Sequence, residues 1–143
     1  HNSGPAPPRT LNKCELKGIP DAIIGNAAYE MAGVVLENLN GGEVSGNTVN
    51  NLTIYGIGSN IGSSAGVVAI NRAGGTVKDN SFNTVTIKNL RSGKEAGGVV
   101  GYCATGGTVT KGKGTLGTLV VGTKTIDNEN GSGGQGKLYG KKG

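Results

Sequence analysis

The chain has no Trp, one Phe (Phe82), one His (His1) and two cysteines in 143 residues. With four Tyr as the other aromatics, an aromatic core is excluded, and the apolar interior has to come from Val, Ile, Leu and Ala. A single His at position 1 leaves no imidazole to serve as base for a Ser or Cys nucleophile. No run of 18 apolar residues occurs, so no membrane-spanning helix is expected. The net charge of +5 is spread along the chain, and no aromatic residues interleave with the basic ones to stack on bases; nucleic acid is therefore not an expected partner. The nine acids are dispersed along the chain, whereas polysaccharide cleavage needs carboxylates paired on one face. Asp127-Asn128-Glu129-Asn130-Gly131 is rich in oxygen ligands but lacks the spacing and the terminal bidentate Glu of a calcium loop. No catalytic residue, metal or cofactor is expected, and the chain reads as a non-enzyme.

Glycine is abundant instead, at 29 residues without a G-X-Y period, which excludes collagen and suggests short strands joined by tight turns. A repeat decides the reading. Ala32-Gly33-Val34-Val35 returns as Ala65-Gly66-Val67-Val68 and as Gly97-Gly98-Val99-Val100. Inside each copy lies a second signature: Gly41-Gly42-Glu43-Val44, Gly74-Gly75-Thr76-Val77 and Gly106-Gly107-Thr108-Val109. Both step by 33 and then 32 residues, and 12 of the 26 pairs between Ala32–Ile57 and Ala65–Leu90 are identical. Each repeat reads as three short extended pieces, around Gly-Val-Val, around Gly-Gly-x-Val, and at Leu52-Thr53-Ile54 or Val85-Thr86-Ile87, the last alternating as a half-buried strand does. Ala22–Met31 is the one helical candidate, weakened by Gly25. A 32–33-residue unit cannot bury its own apolar face, but stacked copies can. The expectation is all-β: a β-solenoid of about three repeats with Val and Ile inside and Asn and Thr in turns or outside. A β-sandwich or jelly roll of the same strands is the rival fold.

Gly98-Val99-Val100-Gly101, followed by Gly106-Gly107-Thr108-Val109, resembles the GLUG repeat of bacterial surface proteins and adhesins, over about 32–121. The family's Leu is Val in all three copies, and its second Gly survives as Gly101, with Leu36 and Ala69 elsewhere. The resemblance implies a solenoid-like, non-catalytic module at the cell surface and brings no site residues.

The chain divides into a Pro-rich N-terminal arm (1–10), a repeat-built domain (11–125, with repeats near 32–64, 65–96 and 97–125) and a Gly- and Lys-rich C-terminal tail (126–143). A first residue other than Met suits a processed N-terminus or an excised piece. Either end can pack on its own chain or be accepted by a neighbouring copy as an added strand. Cys14 and Cys103 have no metal-like spacing and suggest a disulfide in an oxidising compartment. They are 89 residues apart, nearly three repeats, or about 13 Å at a strand spacing of about 4.8 Å; a disulfide needs Cα atoms within about 7 Å. Two arrangements stay open: the N-terminal arm folds back to reach Cys103, or the bond joins two molecules. Thr53 and Thr86 should stack on one outward face, and Tyr55 and Tyr102 are candidate contacts for a glycan. The sequence thus points to a secreted or cell-surface structural protein whose partners are copies of itself, a subunit of a filament, sheath or matrix. The alternative is an adhesin or carbohydrate-binding module of a larger surface protein, with cell-surface glycans as partners.

Overall fold

The structure, a computed structural model, describes residues 10–12, 15–26, 31–56, 63–88, 96–122, 124–126 and 138–143. Among these there is no helix. Strands β1 (Thr10–Asn12) and β2 (Glu15–Asn26) precede the repeats. The first repeat forms β3 (Met31–Ala32), β4 (Val35–Asn38), β5 (Glu43–Ser45) and β6 (Thr48–Gly56). The second forms β7 (Ser64–Ala65), β8 (Val68–Asn71), β9 (Thr76–Lys78) and β10 (Ser81–Ile87). The third forms β11 (Ala96–Gly97), β12 (Val100–Cys103), β13 (Thr108–Val109) and β14 (Leu119–Val121); β15 (Lys124–Thr125) and β16 (Tyr139–Lys142) follow.

Strands of equal rank in successive repeats pair with one another, giving four sheets ordered β1-β5-β9-β13, β2-β6-β10-β14-β15, β3-β7-β11 and β4-β8-β12-β16. Among the described residues every pairing is parallel except the one between β14 and β15. The registers follow the sequence repeat: Val44 stands beside Val77 and Val77 beside Val109, while Thr53 stands beside Thr86. Like residues therefore meet like, and the interior fills in columns. Val35, Val68 and Val100 form one column, Leu52, Val85 and Leu119 another, and Ile54, Ile87 and Val121 a third, all buried.

Two local features turn the chain so that this stacking is possible. The first is a set of left-handed residues. Gly41, Gly46 and Asn51 have positive φ in the first repeat, as do Gly74, Asp79 and Thr84 in the second and Gly106, Gly112 and Gly117 in the third. Gly or a short polar side chain suits this region; Thr84 is the β-branched exception, and the Thr118 hydroxyl accepts a bond from its N–H. The second feature is the Gly-Val-Val bend. The N–H groups of Val34 and Val35 both donate to the Val67 carbonyl, at 3.2 and 2.9 Å, and those of Val67 and Val68 to the Val99 carbonyl, at 3.2 and 3.0 Å. At this bend Gly33 lies against the Gly66 carbonyl, and Gly66 against the Gly98 carbonyl. A side chain has no room there.

Several expectations change. The candidate helix Ala22–Met31 is strand as far as Asn26: β2 pairs with β6 from Glu15 to Asn26, with a register shift between Lys17 and Ala22 that takes up Pro20. The backbone partners offered by β6 outweigh weak helical propensity in a stretch containing Gly25. Each repeat holds four strands and not three, because the residues before the bend pair separately as β3, β7 and β11. Asn was expected in turns or outside; Asn38 and Asn71 do bond across the turns that follow them, but these two and Asn47 and Asn80 are buried. The C-terminal tail supplies β16, which pairs with β12, and Leu138 accepts from the N–H groups of Val99 and Val100, both at 2.9 Å, as Val67 and Val99 do one repeat earlier.

Two substitutions probe this packing. Gly66→Ala drives a Cβ to 2.5 Å from the Gly98 oxygen and 2.8 Å from Phe82; it should cost about 2 kcal/mol or more, read as a lower urea midpoint with unchanged slope. Ser64 is buried with an unpartnered hydroxyl, in register with Ala96. Ser64→Ala should therefore raise stability by about 1 kcal/mol. A fall in the midpoint for Ser64→Ala would contradict this packing.

Candidate association surface

Buried polar columns fix the register of the stack before any surface comes into play. Asn38 Nδ2 donates to the Gly42 carbonyl at 3.2 Å and to Asn71 Oδ1 at 2.9 Å. Asn71 Nδ2 repeats the first bond on Gly75, at 3.1 Å, and adds the Thr108 carbonyl at 3.2 Å. The amide thus closes the corner of its own repeat and ties it to the next. A second column works from the other side: Asn47 donates from its backbone N–H and its Nδ2 to Asn80 Oδ1, at 3.1 and 3.0 Å, and Asn80 Nδ2 donates to the carbonyls of Val44 and Lys78. A one-strand slip would leave these buried groups unpaired, at about 1–3 kcal/mol each.

Cys103 occupies the position of Asn38 and Asn71 in the third repeat. It is buried with no exposed surface and carries a free thiol, 3.7 Å from Asn71 Nδ2. Cys14 lies outside the described residues, and no disulfide is seen among those described. The inward direction of this column leaves the Cys103 side chain with no exposed surface.

Tyr102 is half-buried on β12, in register between Ile70 and Lys141. Tyr55 closes β6 opposite Gly25; its side chain lies outside the described residues. The two tyrosines stand in different sheets and do not form one binding face by register. Thr53 and Thr86 do adjoin, both half-buried. Glu37 and Glu43 face the next repeat as ion pairs, Glu37 Oε1 with Arg72 Nε at 2.8 Å and Glu43 Oε1 with Lys78 Nζ at 3.8 Å. Asp79 Oδ1 accepts from the Lys113 N–H at 2.7 Å. Among the described residues no three His, Cys, Asp or Glu side chains gather to hold a metal. The Asp127–Gly131 run lies outside them. No described helix is long and apolar enough to cross a membrane.

What remains are the two ends of the stack. Among the described residues no strand lies beyond β1, β2, β3 and β4 at one end, or beyond β11, β13 and β16 at the other; β15 covers β14. The ends differ in charge. Among the described residues, 10–56 hold four acids (Glu15, Asp21, Glu37 and Glu43) and one base (Lys17), whereas 96–143 hold five bases (Lys111, Lys113, Lys124, Lys141 and Lys142) and no acid. Leu36, exposed at 46%, is the large apolar side chain at the surface among the described residues, and it lies on β4 at the acidic end. In the sequence these charges read as dispersed, and the difference emerges only when the strand order assigns each half of the chain to an end.

Comparison of the chain with protein-family models, with curated proteins and with solved structures finds no match.

The burial of Cys103 has a direct readout. In the native protein its thiol should react with an aromatic disulfide reagent no faster than global unfolding allows, and should titrate fully in denaturant. Rapid reaction at position 103 under native conditions would mean that the column is open.

Proposed function

We propose that the chain is a β-solenoid that serves outside the cell as a non-enzymatic, self-assembling structural subunit. The observation that carries this reading is the register: strands of equal rank pair in parallel at the step of the sequence repeat, all through the described residues. Sandwiches and jelly rolls are built of antiparallel neighbours, whereas a chain that coils over itself pairs each strand with its own equivalent one turn on. A stack of this kind carries unpaired N–H and C=O groups at its ends, which template addition of further strands. The resemblance to surface-protein GLUG repeats supports an extracellular or cell-surface location.

Electron microscopy of the purified protein, with sedimentation velocity at rising concentration, tests the reading. Ordered fibres of constant width are expected, together with loss of the monomer boundary. A monodisperse monomer at the highest concentration reached would overturn it.

Half-burial of Tyr102 beside Ile70 favours a second reading, an adhesin or carbohydrate-binding module. In that case a glycan array should show binding that Tyr102→Ala abolishes while the fold, measured by far-ultraviolet circular dichroism, is unchanged.

A further inference from the structure

We infer that copies of this chain join head to tail, the β1–β4 end of one continuing the registers of the β11–β16 end of the next; the inference rests on the self-assembly reading above. The sheets decide the geometry. In the β4-β8-β12-β16 sheet, β16 already stands one strand beyond the third repeat, and β4 is the opposite edge. In the β1-β5-β9-β13 sheet it is β1 that stands one strand before the first repeat, with β13 as the opposite edge. In these two sheets the ends are therefore stepped in complementary senses, while the three-stranded β3-β7-β11 sheet is left one strand short at the seam. Moving a second copy along the stack by four strand spacings brings its β4 beside β16 and its β1 beside β13 in the same displacement. A two-fold arrangement would instead set strands of the two copies antiparallel, against the parallel pairing that joins the repeats, whereas the translation keeps every pairing parallel, so the contact inferred is heterologous and open-ended.

Chemistry along the continued registers agrees. The column Leu11, Val44, Val77, Val109 would go on to Leu11 of the next copy, apolar throughout. Val109, at the outer end of this column, is the most exposed of the buried core side chains at 9%. The row Glu37, Ile70, Tyr102, Lys141 would go on to Glu37 of the next copy, setting a basic position beside an acidic one. Among the described residues, Lys111, Lys113, Lys124, Lys141 and Lys142 of one end meet Glu15, Asp21, Glu37 and Glu43, with Lys17, of the other, which favours this partner and disfavours end-to-like-end contact. Exposed Leu36 lies on the joining strand β4.

One element stands in the way. β15 pairs antiparallel with β14 through Val120–Thr125 and Val121–Lys124, where β2 of the incoming copy would lie. Ile126 is buried behind it, its N–H bonded to the Leu119 carbonyl at 3.0 Å and its side chain close to Gly98. The incoming β2 offers Ala22, Ile23 and Ile24 in parallel to Leu119, Val120 and Val121 by the same register that joins β2, β6, β10 and β14. β15, paired through two residues, and Ile126, held by its Leu119 bond and its buried side chain, thus act as a plug, which the second copy displaces.

Cross-linking reads the seam. Thr10→Cys and Thr108→Cys are made separately in a Cys14→Ser background, Cys103 being buried, then mixed, assembled and oxidised. The expected product is a disulfide between position 10 of one copy and position 108 of another, found in the mixture and in neither variant alone. Fibres that form without that link, or with 10–10 or 108–108 links, overturn the head-to-tail seam and leave self-assembly standing; failure of the parent protein to form fibres overturns the reading beneath it. Ile126→Ser weakens the plug and should shorten the lag of assembly severalfold, and an unchanged or longer lag contradicts its displacement.

Discussion

At the Gly-Val-Val bends of the first two repeats two consecutive N–H groups converge on one carbonyl of the following repeat, and the glycine before them lies against the next backbone. This contact sets the distance between repeats at its smallest value, and the rest of the structure is built to that distance. Any side chain at Gly33 or Gly66 would wedge the repeats apart, separate the strands on both sides and open the valine columns. The Asn38–Asn71 and Asn47–Asn80 bonds work within the same limit. They are short polar links that close only when the repeats are in step, so hydrophobic burial supplies the attraction and the amides fix the register.

The sequence carried much of this. Gly-Val-Val and Gly-Gly-x-Val at constant step forecast the pairing of equivalent strands, and the alternation at Leu52-Thr53-Ile54 forecast which side chains point inward. It did not show that Asn38 and Asn71 are buried, because a polar residue beside glycines reads as a turn unless its partner across the repeat is known. Nor did it show β16. Leu138-Tyr139-Gly140 stands where Val99-Val100-Gly101 stands one repeat earlier, but the chain between is longer by several residues and the valines have become Leu and Tyr. A repeat search keyed to constant spacing passes over it, whereas two apolar residues followed by Gly would have been the cue. β2 was missed for a related reason: its pairing is broken between Lys17 and Ala22, which erases the period-two pattern in the sequence.

The candidate site residues fared unevenly, and for physical reasons. Cys103 takes the place of an inward asparagine and inherits that direction, so its chemistry is sealed from solvent. Tyr102 stands in register between Ile70 and a lysine position, and its side chain is half-buried. The acidic first repeat, the basic third repeat and the stepped edges give the stack a direction, on which the proposed head-to-tail assembly rests.

The most direct test of the account is whether equivalent residues are neighbours in solution. In a uniformly labelled sample, backbone proton contacts should link Val44 to Val77 and Val77 to Val109, and Thr53 to Thr86, in the pattern of parallel strands. Contacts that instead join consecutive strands within one repeat, in the antiparallel pattern with close Hα pairs, would contradict the stacked arrangement and the proposals that rest on it.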